Sequence, residues 1–203
     1  MMDGVNVVSR GFVGRRRDRD PRIPPGQYPE RDFPVLSAGP TANVPLDRWR
    51  LDLTGVDGAT RSLSWSDLMA LPSEHVTADI HCVTKWTKLD TSWRGVPVRT
   101  VLGDVGDARY ALVHSSGGYT TNLPLADLVE RDAWVAFEYD GRPLHPEHGG
   151  PARLLVPHLY FWKSAKWLSG IELGHEDTPG FWERLGYHDY GDPWREQRYA
   201  GDG

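Results

Sequence analysis

Few side chains in this 203-residue chain could do chemistry beyond simple acid–base exchange, and the first is its single cysteine. Val76, Ala78, Ile80 and Cys82 alternate with Thr77, Asp79 and His81, the period of a half-buried strand. Cys82 thus closes the apolar face of that strand and leads into Val83-Thr84-Lys85-Trp86-Thr87-Lys88. A lone thiol in such a place is either a small buried hydrophobe or a reactive group. Lys85 and Lys88 could hold it as thiolate, the form that ligates metals and attacks carbonyls. The chain has only four lysines, in two pairs of equal spacing: Lys85 with Lys88, and Lys163 with Lys166. The second pair sits among Trp162, Ser164, Ala165 and Trp167. With Arg153 it could cradle a phosphate, the arginine as a bidentate fork and the lysines as point charges. Eight histidines, chiefly His145-Pro146-Glu147-His148 and His158, show no helical His pair and no CxxC, so the spacing does not supply a zinc centre. Nine tryptophans suit a sugar- or base-stacking surface, but their alternation with polar residues reads mostly as core and strap packing.

These side chains need a scaffold, and the remaining pattern describes one. Strands are expected at Leu46–Leu53, Val76–Cys82, Tyr110–His114, Tyr119–Leu123, Trp134–Tyr139, Arg153–Val156 and Lys166–Leu173, with a turn at Asp140-Gly141. Short helices are expected at Ser64–Leu71, at Leu125–Arg131, and from a Thr178-Pro179 cap through Leu185. Twenty-two glycines and sixteen prolines break the chain into short elements, which argues against a helix bundle. The result is an α+β domain, mainly β, without the long βαβ alternation of a nucleotide-binding sheet. One cysteine excludes a disulfide framework and fits a reducing compartment. A net charge of −5 leaves no global basic excess for a nucleic-acid backbone. No apolar run is long enough to span a membrane. The basic residues concentrate at the start, where residues 1–31 carry seven arginines against four acids. Asp18-Arg19-Asp20-Pro21-Arg22 follows the arginine run where an export signal would need an apolar stretch, so residues 1–32 are expected to be a flexible basic arm or strap.

Two stretches resemble a known family. Asp79-Ile80-His81-Cys82-Val83-Thr84-Lys85-Trp86, followed by Trp93-Arg94-Gly95-Val96-Pro97, is similar to the molybdenum-binding segment of the sulfite-oxidase-like molybdopterin oxidoreductases. Gly149-Gly150-Pro151-Ala152-Arg153-Leu154-Leu155-Val156-Pro157-His158-Leu159-Tyr160, running into Trp162-Lys163-Ser164-Ala165-Lys166-Trp167, resembles the second signature of that family. The likeness covers about residues 33–175. It implies a mixed-sheet, mainly β sulfite-oxidase-type fold around one Mo-molybdopterin, with Cys82 as the ligand to molybdenum. A soft thiolate suits that metal better than a hard oxygen. By the same resemblance His148, Arg153, Ser164, Ala165 and Lys166 hold the pterin and its phosphate, and Ser115 is a further cofactor contact. Tyr119 falls where sulfite oxidases place an active-site tyrosine, and Lys85 is expected near the metal.

The departures from the family pattern are informative. Sulfite oxidases follow the cysteine with a basic pair and carry arginines upstream, where this chain has Val83-Thr84 and Leu36-Ser37-Ala38-Gly39. The resemblance is therefore closest to the single-domain bacterial branch that includes the protein-methionine-sulfoxide reductase catalytic subunit. The expected activity is oxygen-atom transfer at a small S- or N-oxide substrate, with electrons from a separate partner. The expected form is a cytoplasmic monomer whose residues 33–203 are the molybdopterin-binding domain. Two alternatives stand beside it: a thiol enzyme with Cys82 as nucleophile, and a non-enzymatic, aromatic-rich binding module.

Overall fold

The computed structural model describes residues 20–202, so most of the expected basic arm lies outside the described residues. In chain order the elements are β1 (Tyr28–Pro29), β2 (Arg50–Thr54), β3 (Thr60–Ser64), α1 (Trp65–Ala70), β4 (Glu74–His81), β5 (Trp86–Pro97) and α2 (Val98–Leu102). There follow β6 (Tyr110–Ser115), β7 (Thr120–Pro124), α3 (Ala126–Val129), β8 (Trp134–Tyr139), β9 (Arg142–Pro143), β10 (Arg153–Leu155) and β11 (Leu168–Gly174). They build two sheets. In the first, β5 pairs antiparallel with β4 and with β8, takes β1 in parallel at Trp86 and Thr87, and β8 continues to β9 and β10. The second has the order β3-β2-β11-β6-β7.

The main core lies between the sheets. Leu51 and Leu53 from β2, Val113 from β6, Val135 from β8, Leu154 from β10 and Ile171 from β11 meet there. Successive side chains of a strand face opposite ways, so Trp134 and Ala136 of β8 and Leu155 of β10 fall on the other face of the first sheet. They join Ile80, Cys82, Trp86 and Trp93 in a second cluster. Cys82 is therefore seated in an aromatic-rich layer outside the central core.

Several expected boundaries shift for identifiable reasons. The alternation Trp49, Leu51, Leu53 is buried as expected, but Pro45 closes a turn through Arg48 and Trp49, so pairing starts only at Arg50. Ser64 caps α1 through a reciprocal bond with Asp67, a capping box. The helix expected from Thr178 to Leu185 is a single 3₁₀ turn at Glu183–Leu185. Gly180 lies so close to Thr121 that a Cβ would meet its Cα at 2.5 Å, and Phe181 N donates to Thr120 O, which holds this stretch extended along β7. Residues 20–32 lie against the body: Ile23 and Gln27 are buried, and β1 pairs with β5. Among the described residues no helix is long and apolar enough to cross a membrane.

Candidate active site

Cys82 sits at the start of the β4–β5 hairpin loop. Cys82 N donates to Trp86 O and Lys85 N to Cys82 O, each at 2.9 Å. Lys85 has φ +77, the left-handed bulge position that lets a strand resume after a tight turn. The Cys82 side chain is buried, and the Thr84 hydroxyl donates to Sγ at 3.1 Å. Burial pushes its pKa up, opposed by the bonds from Thr84 and Val83. His81 faces the opposite side of the strand, its Nδ1 paired with Thr87 Oγ1 at 3.0 Å.

A cavity of about 420 Å³ opens beside this loop. One wall is the β6–β7 turn, Ser115 to Tyr119, closed by Gly118 N to Ser115 O at 3.1 Å. A second is Arg153 of β10 with the segment Phe161 to Trp167. Phe33, Pro34, the stretch from Leu36 to Pro40 and the aromatics Phe181, Trp182 and Tyr187 complete the mouth. Among the described lining residues the charged side chains are Arg153 and Lys166, with no carboxylate. Arg153 is 1% exposed and donates to His148 O (2.7 Å), Ser164 O (2.6 Å) and Leu154 O (3.3 Å), with its guanidinium 4.1 Å from the Phe161 ring centroid. Burial pushes its pKa down to about 9, so it remains a cation at neutral pH with carbonyls and π faces for company. Lys166 Nζ donates to Leu36 O (2.7 Å) and Glu147 O (2.6 Å). Its pKa is lowered to about 8 by burial and by Arg153. Gly149, at φ +104, packs so tightly here that a Cβ would meet Lys166 Cα at 2.9 Å.

Residues 38–182 match the family described as the oxidoreductase molybdopterin binding domain. The chain belongs to that family. It is a molybdenum oxidoreductase, and its cofactor is Mo-molybdopterin. An uncharacterized oxidoreductase of Bacillus subtilis (strain 168), YuiH, is 44% identical over 195 residues, covering 93% of this chain and 97% of that one. A protein from Azospira oryzae proposed to be a protein-methionine-sulfoxide reductase subunit, YedZ1, is 29% identical over 175 residues, 81% of this chain and 66% of the relative. The sulfane dehydrogenase SoxCD of Paracoccus pantotrophus superposes with a TM-score of 0.61 at 20% identity over 68% of this chain and 41% of that one. The fold is thus the expected sulfite-oxidase-type molybdopterin-binding fold.

The residues of this family member fit such a cofactor. An acid-free cavity holding a buried arginine suits a phosphate dianion, since burying one charge without its counterpart costs several kcal/mol. Ser115 Oγ and Trp86 Nε1, both of lining residues, are buried with no partner among the described residues. Buried polar groups are normally paired, so these two are available to a molecule bound in the cavity.

Of the residues expected at the site, Cys82, Ser115, Tyr119, Arg153, Ser164, Ala165 and Lys166 line the cavity. His148 stands one layer behind, its ring stacked on Phe33 at 4.0 Å. Burial, Lys166 and Arg153 hold its pKa down to about 4, so the imidazole is neutral. Lys85 is not brought to the cavity: the turn commits its backbone to the bulge and leaves its side chain exposed. Lys88 donates instead to Arg31 O. The expectation that these lysines hold the thiolate is therefore corrected. So is the place of Lys163 in the phosphate cradle, because Lys163 is fully buried and pairs with Glu183 at 2.6 Å. Ser164 Oγ accepts from Val156 N at 2.9 Å, which fixes the loop that carries Lys166. Tyr119 OH donates to Trp162 O at 2.6 Å, and burial followed by the nearby Glu183 charge raises its pKa well above the usual range. A second tyrosine, Tyr187, is absent from the expected set; it lines the cavity, and burial, with Tyr199 and Cys82 nearby, pushes its pKa up. Its signal lay beyond residue 175, in the aromatic spacing of Phe181, Trp182 and Tyr187.

Proposed function

We propose that the protein transfers an oxygen atom to or from a small, uncharged S- or N-oxide substrate, with Cys82 as the protein ligand to molybdenum. The observation that carries this reading is the distribution of charge in the cavity. Its two cations, Arg153 and Lys166, belong to the wall built by β10 and the Phe161–Trp167 segment. The groups that act on the thiol are Thr84 and Val83, with no lysine or arginine among them. The wall beside Cys82 is thus suited to a neutral substrate and offers little to hold sulfite.

When bound, the cofactor supplies the two-electron oxygen-atom chemistry; the chain supplies ligation, orientation and electrostatics. Cys82 would hold the metal, and the Thr84 hydroxyl that donates to Sγ would temper the thiolate charge. Arg153 and Lys166 would balance the phosphate, with Ser115 Oγ and Trp86 Nε1 as further donors. Phe181, Trp182 and Tyr187 would exclude water from the mouth, and the Tyr187 hydroxyl would donate to oxygen near the thiol. Tyr119, with its proton committed to Trp162 O, would shape the wall. Electrons would pass to or from a separate redox protein. Residues 33–203 form the proposed cofactor-binding unit, with the preceding segment as a strap.

A thiol-nucleophile mechanism has less support, because His81 bonds to Thr87 and the one partner described for Sγ is Thr84. Steady-state turnover of the holoenzyme on dimethyl sulfoxide, methionine sulfoxide and sulfite tests the proposal. Turnover of either sulfoxide well above sulfite is expected. A clear preference for sulfite would overturn it.

A further inference from the structure

The segment before the domain places one polar side chain behind the Cys82 hairpin. Gln27 is 5% exposed. Its Nε2 donates to Cys82 O at 3.3 Å, and its Oε1 accepts from the Thr87 hydroxyl. Thr87 has a single hydroxyl proton, and it is given to Gln27. Thr87 Oγ1 must therefore accept from His81 Nδ1, which fixes the tautomer of that ring. The bonds run in one direction, from His81 to Thr87 to Gln27, and then from the Gln27 amide to the Cys82 carbonyl.

Two further bonds tie the same strap to the same loop. Tyr28 N donates to Lys85 O at 2.9 Å, and Glu30 N to Thr87 O at 2.7 Å. The Cys82 carbonyl has two described donors. One, Lys85 N, belongs to the hairpin and moves with it. The other, Gln27 Nε2, comes from an element 55 residues away. Of these two donors, the Gln27 side chain is the one that ties the Cys82 carbonyl to an element outside the hairpin.

We infer that Gln27 is a positioning residue for the metal-ligating thiolate: by holding the Cys82 carbonyl it sets the direction in which Sγ leaves the backbone. The inference rests on the proposed ligation by Cys82. It concerns geometry at the metal and not the strength of the fold, so its test must separate the two. Gln27→Met removes both bonds at similar volume. Gln27→Asn keeps the amide but is one methylene too short to span from Thr87 to Cys82. Thr87→Val is the control, since it breaks the buried chain yet spares the bond to Cys82.

The Mo(V) electron paramagnetic resonance spectrum of the holoenzyme is the first readout. Both Gln27 variants should shift its g-values, and Thr87→Val should leave them as in the parent. The second readout needs no cofactor: alkylation of Cys82 by iodoacetamide in full-length protein produced without it. Loss of one neutral hydrogen bond should raise that rate about fivefold in the Gln27 variants through easier local opening. Parent-like spectra and parent-like alkylation in both Gln27 variants would show that the side chain only packs, and would overturn the inference. A Mo(V) spectrum unchanged by Cys82→Ser would instead overturn the ligation itself.

Discussion

Replacing Arg153 with methionine separates cofactor binding from folding. The guanidinium is 1% exposed and bonds only to the carbonyls of His148, Ser164 and Leu154 among the described residues. The fall of its pKa to about 9 corresponds to roughly 5 kcal/mol of lost preference for the charged form. Without cofactor, that charge weighs against the fold, while its bonds to the carbonyls weigh in favour at roughly 1–3 kcal/mol for each acceptor left bare. The two terms oppose one another, so the thermal midpoint of cofactor-free Arg153→Met should stay within a few degrees of the parent. With cofactor the balance changes. A phosphate that loses one charge-assisted bond loses about 1.5–3 kcal/mol, a factor of about 10 to 150 in affinity. Molybdenum per chain, measured by mass spectrometry at equal protein concentration after dilution, should fall accordingly. Lys85→Ala and Lys88→Ala should keep full molybdenum, because neither side chain lines the cavity. Full molybdenum in Arg153→Met, with loss in the Lys85 and Lys88 variants, would refute the reasoning and move the phosphate beside the hairpin.

Lys166 should make cofactor retention pH-dependent. Its pKa in the cofactor-free fold is about 8 against 10.5 for a free lysine, so the folded chain loses this proton first and the bare fold gains stability between those values. A phosphate needs the protonated form, so cofactor affinity followed by pterin fluorescence should fall as pH rises above 8, and Lys166→Arg should flatten that fall. Lys163→Met should break the fully buried pair with Glu183 and cost about 3–5 kcal/mol, seen as a lower thermal midpoint with molybdenum retained in whatever protein stays folded. Cys82→Ser should abolish oxygen-atom transfer in the steady-state assay while circular dichroism stays native, since serine is nearly isosteric.

The parts of the site readable from sequence are those where local pattern and fold agree. The period-two alternation into Cys82 survives as β4, and the Gly149–Lys166 region brings Arg153 and Lys166 to the wall of one cavity. Strand β5 was hidden because an irregularity at Arg94/Gly95 breaks its alternation and because Lys85 looks like loop until its positive φ is known. Lys163 misled because its partner, Glu183, lies in the 3₁₀ turn after β11, and no local pattern announces a buried ion pair between them. Gln27 was invisible for the opposite reason: the basic head has no hydrophobic period, and one buried amide leaves no trace in composition.

The fold leaves several buried polar atoms without a partner among the described residues, and two of them belong to residues that line the cavity. A protein interior normally pairs nearly every buried polar atom. Here Arg153 has no counter-anion, and Ser115 Oγ and Trp86 Nε1 have no partner among the described residues. The same cavity faces the one thiol of the chain. Elsewhere buried charged side chains find direct partners, Lys163 with Glu183 and Asp127 with His158 and Tyr190, although Glu183 Oε2 and two nitrogens of Arg198 have no hydrogen-bond partner among the described residues. In the proposed reading, the open charge of Arg153 would meet the cofactor phosphate in the cavity that Cys82 also lines. The Gln27 strap then matters for a physical reason. In the proposed arrangement, phosphate contacts would hold one end of the cofactor and the direction of a single sulfur would set the other, and that sulfur lies on a hairpin loop tied to the fold from behind.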